Sequence, residues 1–112
     1  MTESERYTRF VNLAFGDEAA THRSVPGRGG AGGHRRIDIS SGASIAIDFY
    51  ALIPQSRGPM SRTHLGRYIM ARGVPLIWPV PHEAQPHDVL VAIQNVDSQP
   101  ADVHVMDHWR IG

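Results

Sequence analysis

DVLVAIQNV, residues 88–96, and ADVHVMDHWRI, residues 101–111, decide the fold class of this chain. Apolar and polar side chains alternate through both. A period of two is the repeat of a pleated strand, whose successive side chains point to opposite faces. Val89, Val91 and Ile93 share one face of the first stretch, and Val103, Val105, Trp109 and Ile111 share one face of the second. The other face of the second carries Asp102, His104, Met106, His108 and Arg110. Asp97-Ser98-Gln99-Pro100 between them is a polar, proline-containing loop. The two strands are therefore expected to pair as an antiparallel hairpin.

The same period continues upstream. In SIAIDFYALI, residues 44–53, Ile45, Ile47, Phe49, Ala51 and Ile53 oppose Ser44, Ala46, Asp48, Tyr50 and Leu52. Ser40-Ser41-Gly42 forms the turn before it, and Ile37 and Ile39 flank Asp38 in a further strand. Residues 54–63 read as a Pro/Gly/Ser loop. THLGRYIMARG fits a short strand or a helix carrying Leu65, Tyr68 and Ile69, with Gly66 weakening the helix. The three prolines of VPLIWPVP confine it to an edge strand or extended wall. The first fifteen residues fit two patterns. Thr2 and Glu5 have capping-box spacing with Tyr7, Phe10, Val11 and Ala14 on one helical face; as a strand, Tyr7, Val11, Leu13 and Phe15 share a face. Several short strands separated by Gly/Pro turns imply a mainly β fold, a small antiparallel β-sandwich with a jelly-roll-like body.

Residues 16–36 show no apolar period and read as a long loop or arm. Within them PGRGGAGGHRR, residues 26–36, packs five glycines and three arginines. The expected organisation is an extended Gly/Arg-rich N-terminal segment and arm over 1–36 and a sandwich body over 37–112, one domain overall. Gly27 to Gly32 satisfies the letters GxGxxG, but no buried strand precedes it and a strand, not a helix, follows. A dinucleotide loop needs both contexts, so that reading fails. Arg28-Gly29-Gly30 is a single RGG triplet without an interleaved aromatic, whereas Arg-Gly arms bind RNA through many copies.

Composition narrows the chemistry. The chain has 112 residues, 41% of them hydrophobic, enough for one packed core. There is no cysteine and no lysine, which removes disulfides, thiolate sites and lysine chemistry. All eleven cations are arginine, the side chain suited to planar, bidentate contacts. No apolar run reaches the length of a membrane span, and the polar start has no signal-peptide core, so synthesis in the cytoplasm and no membrane partner are expected. Net charge is zero overall but −2 over residues 1–18, +6 over 19–81 and −4 over 82–112. Folding can cancel that asymmetry internally, or a bipolar surface can dock head-to-tail on its own copies.

Seven histidines raise a metal hypothesis. His104 and His108 are four residues apart on a strand, about 13 Å at ~3.3 Å per residue, too far to share one ion. His82, Glu83, His87 and Asp88 cluster in a loop without convergent spacing, so no metal and no cofactor are expected. No serine lies in a GxSxG elbow, and the acids are scattered singly, so no catalytic residues are assigned. Trp78 and Trp109 read as core or interface anchors.

Two interface sets follow instead. Arg23, Arg28, Arg35 and Arg36 belong to the arm, a strap expected to pack on partner subunits. Asp102, His104, His108 and Arg110 form an acidic, histidine-bearing face opposite the buried side of the last strand. A small β body with an arm and no catalytic set implies a structural, non-enzymatic assembly subunit that binds copies of itself and a larger protein lattice. By analogy of design, virion accessory proteins have this build, such as phage head-decoration (cement) proteins or small tail and neck subunits; the location would then be the virion. The alternatives are a small His-dependent metal enzyme or cupin-like protein, and an Arg-arm nucleic-acid-binding module.

Overall fold

Among the described residues eight strands form, four where the alternation is plain and four where it is not. The computed structural model describes residues 2–16, 20–26 and 34–111. The strands are β1 (Thr2–Leu13), β2 (Ala20–Ser24), β3 (His34–Ser41), β4 (Ile45–Ile53), β5 (Ser61–Met70), β6 (Leu76–Pro79), β7 (Asp88–Asn95) and β8 (Ala101–Ile111). One 3-10 turn, His82–Ala84, precedes β7, and no α-helix occurs among the described residues. Sheet I has the order β1-β8-β3-β6 and sheet II the order β2-β7-β4-β5, with every pairing antiparallel. Two four-stranded sheets filled alternately along the chain, except at the consecutive pair β4 and β5, are the jelly-roll form of a sandwich.

The expected hairpin of residues 88–111 does not form. Asn95 ends β7 in sheet II and Ala101 begins β8 in sheet I, so the polar loop carries the chain across the sandwich. Period fixes which face a side chain takes but says nothing about which strand lies alongside. Among the described strands only β4 and β5 are neighbours both in sequence and in a sheet.

The alternation itself holds. Val89, Val91, Ile93, Val103 and Val105 are fully buried and meet Ile37, Ile39, Ile45, Ile47 and Phe49 between the sheets. Ala46 and Leu52, on the other face of β4, are buried as well, because β4 lies between β7 and β5. Phe49 of sheet II stacks on Trp78 of sheet I with ring centroids 3.7 Å apart and planes 8° off parallel. The Trp78 indole N–H donates to the Tyr68 hydroxyl at 3.2 Å, and that of Trp109 to the Val25 carbonyl at 2.8 Å. Each tryptophan thus ties sheet I to sheet II or to the segment leaving β2.

Both ambiguous segments are strands. The N-terminal one pairs with β8 from Thr2↔Ile111 to Leu13↔Ala101, which satisfies one side of a central strand's backbone. Its expected face is altered by a register shift between Phe10 and Leu13, where Asn12 adopts φ 59°. Phe10 and Leu13 consequently pack on the core, while Tyr7, Val11 and Phe15 are exposed.

The arm boundaries also move. Residues 20–24 and 34–36, expected in the arm, are strand β2 and the start of β3, so the expected 36/37 division falls inside β3. The sequence of β2, ATHRS, does alternate, but its inward residues are His22 and Ser24, so the apolar signal is missing. The glycine run 27–33, and Arg28 with it, lies outside the described residues. No helix of the described residues is long and apolar enough to cross a membrane.

Candidate functional site

Register aligns the outward side chains of sheet I in cross-strand rows. Glu5, His108, Arg36 and Pro79 form one row, and Tyr7, Met106, Asp38 and Ile77 the next. Arg9, His104 and Ser40 form the third. Directly opposed residues in a sheet lie within side-chain contact, so each row is a connected unit.

In the first two rows His108 bridges two carboxylates. Its Nδ1 is 3.2 Å from Glu5 Oε1 and its Nε2 is 3.0 Å from Asp38 Oδ2. Arg36 Nε also donates to Asp38 Oδ2, at 3.3 Å. Asp38 Oδ1 is buried and accepts no hydrogen bond of good geometry. In the third row the Tyr7 hydroxyl is hydrogen-bonded to His104 Nδ1, with the rings 5.7 Å apart. Beyond it Asp102 accepts from the Asn12 N–H at 2.9 Å and from Arg9 Nη2 at 3.1 Å. Those two donors, the backbone one first, hold the Asp102 carboxyl below the usual carboxylate range.

Two clefts open on this side of the molecule. One of about 390 Å³ is lined by Glu5, His34, Arg36, Pro79, Gln85 and His108 among others. The second, about 520 Å³, runs between Tyr7 on β1 and Leu76 and Ile77 on β6, over Asp38, Ser40, His104 and Met106.

The structure therefore gathers part of both interface sets onto one face. Asp102, His104 and His108 project outward and are partly exposed, as the alternation implies. Arg36, assigned to the arm, stands beside His108 in the same row. Arg23 instead lies on β2 and donates to Asp88 Oδ2 at 2.6 Å. The side chain of Arg110 lies outside the described part.

Arg35 departs most from a surface role. It points between the sheets and is 6% exposed. Its Nη1 donates to the carbonyls of Ala84, Gln85 and His87 at 3.3, 2.9 and 2.7 Å. Its Nη2 donates to the Ser24 carbonyl and Oγ at 3.2 and 3.0 Å. Burial pulls its pKa below the ordinary arginine value, against attraction from Asp107 and Asp88. Nearby, His22 Nε2 lies 2.8 Å from Asp107 Oδ2, and both side chains are buried. Asp107 shares the parity of Val103, Val105 and Trp109, so alternation was the available signal for its burial.

Folding also pairs most of the C-terminal acids within the chain. Asp88 meets Arg23, Asp97 meets Arg72, Asp102 meets Arg9 and Asp107 meets His22. Among the described residues no three His, Asp or Glu side chains are placed to hold a metal ion. His108 cannot serve as a ligand in the present arrangement without releasing a carboxylate, since both ring nitrogens are engaged.

By sequence the chain matches no protein-family model and no curated protein. By structure it is similar to a chain of the Bacillus endospore appendages, described as a novel family of disulfide-linked pili. That match has a TM-score of 0.55 at 10% identity, covering 98% of this chain and 87% of the other. PirA is similar with a TM-score of 0.54 at 11% identity, covering 98% and 96%. The likeness is one of fold. With no cysteine, this chain cannot form disulfide links of its own.

Proposed function

We propose that this chain is a structural, non-enzymatic subunit that works by assembling with protein, both its own copies and a larger lattice. One observation carries it: large apolar side chains are exposed on the edge strands. Tyr7 and Val11 on β1 are 53% and 63% exposed, Ile69 on β5 is 68% and Ile77 on β6 is 64%. Edge strands of solitary proteins are usually blunted by charge or covered, because unpaired N–H and C=O groups next to apolar side chains recruit other chains. Exposed edges that are buried on assembly account for both features. The pilus subunit among the structural neighbours supports a filament outside the cell. The virion accessory role drawn from design analogy has no support from either neighbour.

Native mass measurement across a concentration series, with electron microscopy of the same samples, tests this. Concentration-dependent oligomers or filaments are expected. A monomer at every concentration, alone and with candidate lattice proteins, refutes it.

A further inference from the structure

We infer that two copies of this chain join through the free edge of β1, paired antiparallel about a two-fold axis at Tyr7, so that Glu5 of each copy faces Arg9 of the other. The inference rests on the assembly function above and adds which edge meets which.

Among the described strands β1 is the one long edge that neither proline nor like charge blunts. Four strands end the two sheets, β1 and β6 in sheet I and β2 and β5 in sheet II. β6 has four residues, with Pro79 its last and Pro75 just before it, and proline has no N–H to give a ladder. β2 has five residues. β5 is long but holds Arg62 and Arg67 and no acid, so pairing it with its own copy gathers like charge. β1 runs for twelve residues without proline and holds Glu3, Glu5, Arg6 and Arg9. Among the described strands it pairs on one side only, with β8.

The order of those charges selects one register. Two strands related by a two-fold axis normal to the sheet run antiparallel and keep their outer faces on the same side. Directly opposed residues then have the same parity. With the axis at Ser4, Glu5, Arg6 or Arg9, a charge stands opposite its own kind. With the axis at Thr8 or Phe10, no charge meets an opposite one. With the axis at Tyr7, Glu5 opposes Arg9 twice, once on each side of a pair of Tyr7 rings, and Arg6 opposes Thr8. Unlike charges and aromatic rings are favourable when directly opposed, and like charges are not. The register shift after Phe10, with Asn12 at φ 59°, ends the regular strand just beyond this span.

Both charged side chains have capacity to spare. Glu5 is more than half exposed, and only its Oε1 is engaged, by His108. Arg9 is nearly half exposed, and only its Nη2 donates, to Asp102. Among the described residues Glu5 Oε2 and Arg9 Nε and Nη1 make no hydrogen bond. A two-fold contact closes on itself, so the product is a dimer. It leaves the β6 edge, with exposed Ile77, at each end of the joined sheet for a larger lattice.

Mixing charge variants tests this. Full-length Glu5→Arg and Arg9→Glu proteins are each expected to self-associate about tenfold more weakly than the parent, since each alone opposes like charges. Mixed, they are expected to form a heterodimer at about the parent's affinity, because both of its contacts are again unlike. Losses inside one chain, at His108 or Asp102, persist in the mixture, so only a contact between copies is rescued. Tyr7→Cys is expected to oxidise to a symmetric covalent dimer, since directly opposed Cα atoms, about 4.5–5.5 Å apart, lie within disulfide range. Ile69→Cys, on the β5 edge, is expected to give none. If each variant is weakened and the mixture is not restored, the charges act within the chain and the inference fails. If oligomers form, the variants match the parent and Tyr7→Cys does not link, another surface joins the copies and the assembly function stands. If the chain is monomeric at every concentration, the inference and the assembly function both fail.

Discussion

Two polar hubs occupy different regions of the same sandwich; both are buried, and they differ in completeness. One, around Arg35, sits between the sheets and joins β2, β3, β8 and the 3-10 turn. It leaves Arg35 Nε, Asp107 Oδ1 and Gln85 Oε1 buried without a partner. The other closes the turn after β7. There Asn95 Nδ2 donates to the carbonyls of Leu13 and Gln99, each at 2.8 Å, and Asn95 Oδ1 accepts from the Asp97 N–H at 2.7 Å. Asp97 accepts from the Ser44 N–H at 2.8 Å, the Gln99 N–H at 3.2 Å and the Arg72 guanidinium. Every polar atom of Asn95 and Asp97 that the turn needs is used. The first hub leaves buried polar atoms unpaired at a desolvation cost, whereas the second satisfies its groups while tying the turn after β7 to the end of β1, to the turn before β4 and to Arg72 after β5.

Breaking the interior hub is expected to have the larger effect. Arg35→Met strips the donors from four carbonyls and leaves Asp107 short of a positive neighbour. A loss of about 3–5 kcal/mol is expected, as for breaking a buried charged network, read from urea denaturation. His22→Leu leaves Asp107 as a buried carboxylate without its ring partner, with an expected loss of about 3 kcal/mol. The double variant His22→Leu/Asp107→Leu is expected to be more stable than His22→Leu alone, since it removes both polar groups together. If the double variant is worse than the single, the pair contributes net stability and the interior hub is cheaper than the comparison holds.

The turn hub is expected to respond less to mutation and more to acid. Asn95→Ala exposes no charge but leaves two carbonyls and one N–H unpartnered, with an expected cost of about 2 kcal/mol. Asp97 has its carboxyl held far below the ordinary range, first by Arg72 and then by the Ser44 N–H. A carboxyl with a depressed folded-state pKa adds stability above its unfolded pKa, near 4, and that stability is lost as pH falls toward the folded value. Thermal melts from pH 6 to pH 2 should therefore show a falling midpoint whose acid limb flattens in Asp97→Asn. Asp102→Asn should flatten it too, and by less, because the downward pull on Asp102 is weaker. An unchanged acid limb in Asp97→Asn removes the pH contrast between the two hubs.

The two hubs also show how far alternation carries. The β-rich sandwich, its core positions on β4, β7 and β8, and the outward Asp102, His104 and His108 all follow from period two. Strand β2 escaped because its inward positions hold His22 and Ser24, so the pattern is real but polar. Arg35 looked like an arm residue because it follows a glycine run, and its burial depends on acceptors some fifty positions away. The crossing after Asn95 looked like a hairpin because a tight polar turn serves either geometry. Pairings between distant strands leave no local mark, and most of this fold is made of them. Clefts and rows on sheet I arise from four strands scattered through the chain, which no window of sequence brings together.

The position of β8 has a consequence for how the molecule is made. It lies between β1 and β3 in sheet I, yet it is the last of the eight strands to leave the ribosome. β1 emerges about ninety residues before β8, its ladder partner among the described strands, a wait on the order of 5–20 s at ordinary translation speeds. Throughout that interval a twelve-residue strand bearing Tyr7, Phe10, Val11 and Leu13 is unpaired. The nascent chain is thus at its stickiest while it is still incomplete, and crowding many such chains on one message makes neighbours compete with β8 for β1.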